Sequence, residues 1–305
     1  MRFFSKLQII GIILLVAGLF GGGIYFISLK FKTVETTPEA PLSEESVVVE
    51  AESVSEQIIG SSVEGRNIRA YSYGAGDSHL LFVGGIHGGY EWNSVMLAYQ
   101  FMDYLETNPN VVPENITVTV IPSANPDGLF EIVGSGARFA LTDVPADTAG
   151  KVGRFNANGV DLNRNFDCKW QSESTWRGNV VSAGTAPFSE PEAKAIRDFV
   201  LTDKPEAVVF WHSQSNAVYA SECENGILPG TLALMNTYAQ AADYPSVDFF
   251  DAYPITGDAE GWLASIGVPA ITVELSTHET LEWNKNLTGA KALFSYYSQE
   301  AGLAR

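Results

Sequence analysis

His87, Glu91, His212 and Glu274 are the residues of this chain whose types and placement point most directly to chemistry. A catalytic zinc site takes three protein ligands from His, Glu or Asp and leaves a fourth position for water. The chain has four histidines. His79 begins an apolar run and reads as a solvated or satisfied structural histidine, and His278 lies in a polar loop. His87 and His212 instead stand at the ends of apolar runs. Glu91 follows His87 by four residues, on the same face if the turn there becomes helical. Glu274 ends the run AITVE, where a buried carboxylate is costly unless it has a partner.

These side chains need elements to bring them together. Residues 79–83 (HLLFV) read as a buried strand that ends in Gly84 and Gly85, and residues 91–105 carry apolar positions at helical spacing. A further strand at 116–121 is followed by an Asn125-Pro126-Asp127-Gly128 turn. Ser189 with Glu192 predicts a capping box that opens a helix over 189–200. The runs 207–211 (AVVFW) and 270–273 (AITV) read as strands that stop at His212 and Glu274. Polar residues at the ends of three apolar strands predict one cleft, at the carboxyl ends where open α/β sheets place ligands.

Residues 7–29 contain no charge and are long enough to cross a hydrocarbon core of about 30 Å as a helix. Bulky residues follow this stretch where a cleavable signal would show small ones, so it reads as a transmembrane anchor behind a short flank, residues 1–6. Arg2 and Lys6 before it and Lys30 and Lys32 after it leave the orientation open. Residues 30–56 read as a flexible acidic linker, with seven Glu and no Lys or Arg from 33 onward. Residues 57–305 then form one catalytic domain, expected on the extracytoplasmic side of a single-pass membrane protein. A net charge of −18 repels a phosphate backbone and excludes nucleic acid as an expected partner.

The segments IHGGYE, GVDLNRNF (159–166), FWHSQS (210–215) and AYPITGDAEGW followed by AITVEL closely resemble, in that order, the zinc metallocarboxypeptidases of the carboxypeptidase A and B type. The resemblance runs from about residue 57 to 301, and GVDLNRNF is its most specific piece. It implies a three-layer α/β/α fold around a mixed, mostly parallel twisted sheet, one Zn²⁺ per chain, and hydrolysis of the peptide bond next to a free carboxyl terminus. It also implies roles for individual residues. His87, Glu91 and His212 match the zinc ligands, with one residue more between His87 and Glu91 than the family pattern has. Asp161 matches the partner of the first histidine, and Asn163 and Arg164 the pair that binds the terminal carboxylate. Arg154 matches the arginine that polarises the scissile carbonyl, with Arg138 as a rival. Tyr253 matches the tyrosine over bound peptide, and Glu274 the general base.

Glu260 and Asp258 fall where that family places its terminal side-chain pocket, which implies a preference for basic or diamino-acid termini. The alternative is that either acid caps the helix after Gly257. Cys168 and Cys223 are the only cysteines, and both closely follow segments expected to converge. One disulfide is expected, with two buried thiols as the alternative. Two further readings remain: a peptidoglycan-peptide hydrolase on the same scaffold, and a catalytically inactive tethered peptide-binding domain.

Overall fold

The computed structural model describes residues 54–146 and 153–303. Along the chain run β1 (Ser55–Ser61), β2 (Asn67–Tyr73), β3 (Ser78–Val83), α1 (Trp92–Thr107), β4 (Ile116–Ile121) and α2 (Pro126–Val133). After them come β5 (Glu173–Trp176), β6 (Asn179–Ser182), α3 (Pro191–Asp203), β7 (Ala207–Ser213), β8 (Ala217–Ala220), β9 (Glu222–Cys223) and β10 (Gly226–Ile227). The chain ends with α4 (Pro229–Ala242), β11 (Ser246–Val247), α5 (Ala259–Ser265), β12 (Ala270–Leu275) and α6 (Trp283–Leu303). The expected anchor at 7–29, and the linker as far as residue 53, lie outside the described residues. Among the described residues no helix is long and apolar enough to cross a membrane.

The main sheet has the order β1-β2-β4-β3-β7-β12-β8-β11. Its centre, β4-β3-β7-β12, is parallel, whereas β1, β2 and β8 pair antiparallel with their inner neighbours. Every residue of β3 and of β7 is buried, as expected for parallel strands covered on both faces. One face packs under α1, α4 and α6 around Phe82, Phe101, Trp211 and Phe294. The other packs under α3 and α5 around Val83, Phe199, Phe210 and Trp262. The sheet is therefore mixed and sandwiched between helices.

Two local expectations change. Asn125-Pro126-Asp127-Gly128 starts α2 instead of making a free turn: Pro126 occupies the first helical position and the Asn125 side chain accepts from the Gly128 N–H at 2.9 Å. Ser189 does not cap α3. Glu190 holds the cap position, Pro191 follows it, and the Ser189 hydroxyl is spent on Glu190 at 2.8 Å. Proline at the first helical position has no N–H that needs capping, and the helix begins one residue later than a Ser189 cap places it.

Candidate active site

The chain leaves β3 through α1 to β4 on one side, while β7 lies on the other side of β3. The crevice at the carboxyl ends of β3 and β7 is thus a topological switch point. His87 follows β3, His212 is the penultimate residue of β7, and Glu274 lies in register with His212 on the adjacent strand β12. After His87 a 3₁₀ turn, Gly88–Glu91, leads into α1. Gly88 has φ +49°, and a Cβ there would come within 2.5 Å of the Gly153 carbonyl oxygen. The turn can therefore pack directly against the segment that carries Arg154.

His87, Glu91 and His212 each present a ligand atom, all within 4.8 Å of one another. The two imidazole centroids are 5.0 Å apart, and His212 Nδ1 lies 3.2 Å from Glu91 Oε2. All three residues are at most 3% exposed. Within this buried group His87 Nδ1, Glu91 Oε2, His212 Nε2 and Glu274 Oε2 make no hydrogen bond. Buried polar atoms without a well-formed hydrogen bond are costly even beside an ion-pair partner, and a dication among two imidazoles and a carboxylate removes that cost. A His₂Glu set is also an established zinc donor set, so the residues present fit the metal. The longer His87-to-Glu91 spacing is absorbed by the 3₁₀ turn.

Burial, then the nearby Arg154 charge, holds the His87 imidazole well below its usual range, which keeps it neutral as a ligand must be. Burial opposes charge on His212 too, but the Glu91 and Glu260 carboxylates outweigh it and raise this imidazole. Glu274 is pushed up to about 7, first by burial and then by the Glu91 charge. A carboxyl at that value exchanges protons readily near neutrality.

Asp161 is fully buried, with Oδ1 3.6 Å from His87 Nδ1. Its Oδ2 accepts from Arg154 Nε and Nη2 at 3.1 and 2.9 Å. Arg154 thereby stands between Asp161 and Glu91, whose Oε1 is 3.8 Å from Nη1. Its rival Arg138 is outside the cavity, paired with Asp103 at 2.6 Å. Asn163 Oδ1 accepts from the Ala259 N–H at 2.8 Å, which leaves its amide NH₂ for another partner. Arg164 is 3% exposed, donates from Nη1 to the Asn163 carbonyl at 2.5 Å, and has a buried Nε without a partner.

Residues 49–288 match the Peptidase_M14 family, described as zinc carboxypeptidase. The chain belongs to this family. Among relatives, the chain is 25% identical over 240 residues to Gamma-D-glutamyl-L-diamino acid endopeptidase 1 of Lysinibacillus sphaericus, covering 72% of this chain and 60% of that one. It is 30% identical over 161 residues to Murein peptide amidase A of Escherichia coli K12, covering 48% of this chain and 62% of that one. In fold it is similar to bovine thrombin-activatable fibrinolysis inhibitor, solved with a tick carboxypeptidase inhibitor, at 20% identity. That likeness has a TM-score of 0.62 and covers 83% of this chain and 91% of the other.

In this member of the family the cluster opens into a cavity of about 630 Å³, lined also by Arg154, Asn163, Arg164, Tyr253, Asp258, Glu260 and Glu274. Tyr253 sits half-buried in the loop before α5, edge-on to Phe250 with ring centroids 4.8 Å apart. The two acids assigned to the terminal side-chain pocket both border the cavity, but each also has another task. Asp258 caps α5, accepting from the Gly261 N–H at 2.7 Å. Glu260 is 2% exposed; its Oε1 accepts from Thr272 at 2.9 Å and lies 3.2 Å from His212 Nε2. Burial raises Asp258 to about 6, helped by the Glu260 charge. For Glu260 the neighbouring His212 outweighs burial and lowers the carboxyl.

Cys168 and Cys223 are joined, with Cα atoms 6.0 Å apart, and the bridge ties the loop after Arg164 to β9. His79 is a satisfied structural residue, bonded to Thr119 and paired with Asp203. His278, read as a loop residue, is near the site: its Nδ1 is 2.7 Å from Ser213 Oγ and its ring centroid 4.6 Å from that of Tyr90. Trp176 and Arg177 also border the cavity, from the β5–β6 hairpin. No spacing or pattern in the sequence marks these three residues.

Proposed function

We propose that this chain hydrolyses the peptide bond preceding a free C-terminal residue, with zinc held by His87, Glu91 and His212. The carrying observation is that this metal-fitting cluster, Glu274 and Arg164 share one cavity, and that Arg164 has no carboxylate within ion-pair distance among the described residues. A bound zinc ion supplies a Lewis acid that polarises a carbonyl and acidifies water. Glu274 accepts the proton of the attacking water and passes it to the leaving amine. Arg154 faces the charge that develops on the carbonyl oxygen, oriented by Asp161. Arg164, with the free amide of Asn163, forms charge-assisted bonds to the terminal carboxylate, and Tyr253 closes the pocket over it. Glu260 and Asp258 favour a terminal Lys, Arg or diamino acid.

A second reading is supported by the names of two relatives, one a Gamma-D-glutamyl-L-diamino acid endopeptidase and the other a Murein peptide amidase. On that reading the substrate is a cell-wall peptide containing a diamino acid, reached by a catalytic domain tethered outside the membrane through residues 7–29. Incubating the zinc-loaded full-length protein in detergent with peptides ending in Arg, Leu or diaminopimelate, and with cell-wall fragments, separates the two. Release of a C-terminal amino acid supports the first, and cleavage restricted to wall fragments supports the second. No cleavage of any of them, or purified protein that takes up no zinc, leaves a tethered peptide-binding domain.

A further inference from the structure

The cavity continues past Asp258 and Glu260, and its depth can be followed along β12, whose Glu274 stands at the reacting end. Thr272, two residues back and on the same face, also borders the cavity and bonds Glu260. On the neighbouring strand β8, Tyr219 pairs with Thr272 and Ala220 with Ile271, and the Ser221 N–H donates to the Ala270 carbonyl at 3.3 Å. Ser221 therefore lies level with a residue four positions behind Glu274, roughly 13 Å along the strand. It borders the same cavity, is 5% exposed, and its hydroxyl makes no hydrogen bond among the described residues. A buried hydroxyl without a partner is costly, which marks this end of the cavity as a place for a polar group.

The same end carries a pair of opposite charges. Lys169 Nζ lies 2.8 Å from Glu222 Oε1, and both residues border the cavity. Each is the sequence neighbour of one half of the Cys168–Cys223 bridge, so the covalent link holds their backbones close together. Their side chains are 38% and 35% exposed. An ion pair that open to water is worth little by itself, so either charge can exchange its partner for a group on a ligand.

Backbone contacts fix this pair to the rest of the pocket. The Phe166 N–H donates to the Gly257 carbonyl at 2.9 Å, and the Gly257 N–H to the Cys168 carbonyl at 2.7 Å. Gly257 also packs on the backbone of Arg164, where a Cβ would come within 2.1 Å of the carbonyl oxygen. Arg164 and the residue before Lys169 are thus anchored on one glycine. At Gly261 a Cβ would meet the Asp258 carboxylate at 2.8 Å and Cys168 Sγ at 3.0 Å. Asp258 therefore stands next to the bridge that holds the ion pair.

We propose that Lys169, Glu222 and Ser221 form a subsite for the zwitterionic end of a terminal diamino acid, one whose far carbon carries both an ammonium and a carboxylate, as in diaminopimelate. Lys169 receives the carboxylate, Glu222 the ammonium, and the Ser221 hydroxyl bonds to either. This rests on the cleavage reading above for the terminal carboxylate at Arg164, and it narrows the side chain that reading favours. Asp258 and Glu260 alone would favour Lys over diaminopimelate, because a second carboxylate near two acids is repelled. With Lys169 at the far end the order reverses.

The test uses zinc-loaded full-length protein and matched peptides that end in diaminopimelate joined through its L centre, in Lys, which lacks the far carboxylate, or in 2-aminopimelate, which lacks the far amine. Wild-type kcat/KM is expected to be about tenfold higher for diaminopimelate than for either of the others, carried mainly by KM. Lys169→Ala is expected to bring the diaminopimelate-to-Lys ratio to one or below, and Lys169→Arg to keep part of it. Glu222→Gln is expected to lower the diaminopimelate-to-aminopimelate ratio. Arg197→Ala, a remote charge removal on α3, is expected to leave both ratios unchanged. A wild-type ratio to Lys at or below one, or either ratio unchanged in its own variant, overturns the proposal. If no peptide is cleaved, the cleavage reading fails on its own, and calorimetric Kd values for the same three peptides still decide the subsite: a preference for diaminopimelate that is lost in Lys169→Ala supports it, and equal affinities overturn it.

Discussion

The inner wall of the cavity and its outer wall are built by different physics. The inner wall is the end of the parallel sheet: His87, His212 and Glu274 are placed by β3, β7 and β12, whose registers are locked by apolar side chains on both faces. The outer wall is loop: the β5–β6 hairpin, the Tyr253 segment and the Cys168–Cys223 bridge, held by aromatic edges, ion pairs and one covalent link. Changes to the inner wall should therefore act on metal and chemistry with little freedom to compensate, whereas changes to the outer wall should act on affinity and specificity.

The largest expected effect is loss of a metal ligand. His87→Ala, Glu91→Ala and His212→Ala should each lose zinc and nearly all turnover, as read by metal analysis beside a peptide assay. Full zinc and full rate in Glu91→Ala would place the third ligand elsewhere. Next comes Glu274→Gln, which should keep zinc but lose about 10²–10⁴-fold in kcat, because an amide cannot accept the proton of water. In the wild type, kcat/KM should fall as pH drops through the Glu274 pKa. Since a bound dication counters the burial that raises this group to about 7, the acid limb should lie below that value in zinc-loaded protein. An acid limb well above 7 would assign the ionisation to another group.

These inner-wall residues were legible because a polar residue that ends a run of apolar β-formers must be either paired or functional. AVVFW stops at His212 and AITV at Glu274, and the pleated sheet does the rest. The outer wall was not legible in the same way. Whether Glu260 faces a substrate or His212 depends on how α5 docks against β12, the neighbour of β7, a tertiary fact that no local pattern contains. His278 and Arg177 sit in a loop and a hairpin turn, where spacing carries no periodic signal.

Glu260 tests the boundary between the two walls. If it acts through His212, Glu260→Gln should weaken zinc binding about 10–100-fold in a chelator competition, whatever peptide is used. If it acts only as a pocket acid, zinc affinity should stay constant while the preference for a terminal Arg over Leu falls. The smallest effect on chemistry is expected for the disulfide. Replacing Cys168 and Cys223 together by Ser should cost roughly 2–4 kcal/mol of stability in a denaturant titration and change kcat little at low temperature. A large loss of kcat in fully folded protein would show that the bridge shapes the reacting centre itself.

The central claim is that one zinc ion at His87, Glu91 and His212 makes this cavity hydrolytic, and one sample can test it. Zinc content and release of the C-terminal residue from a Lys-terminated peptide are measured on the same full-length protein, before chelation, after removal of the metal, and after its return. The account predicts one zinc per chain, loss of turnover with the metal, and recovery in proportion to the zinc restored. Undiminished turnover in metal-free protein, or stoichiometric zinc retained by a His87→Ala, His212→Ala double variant, would contradict it.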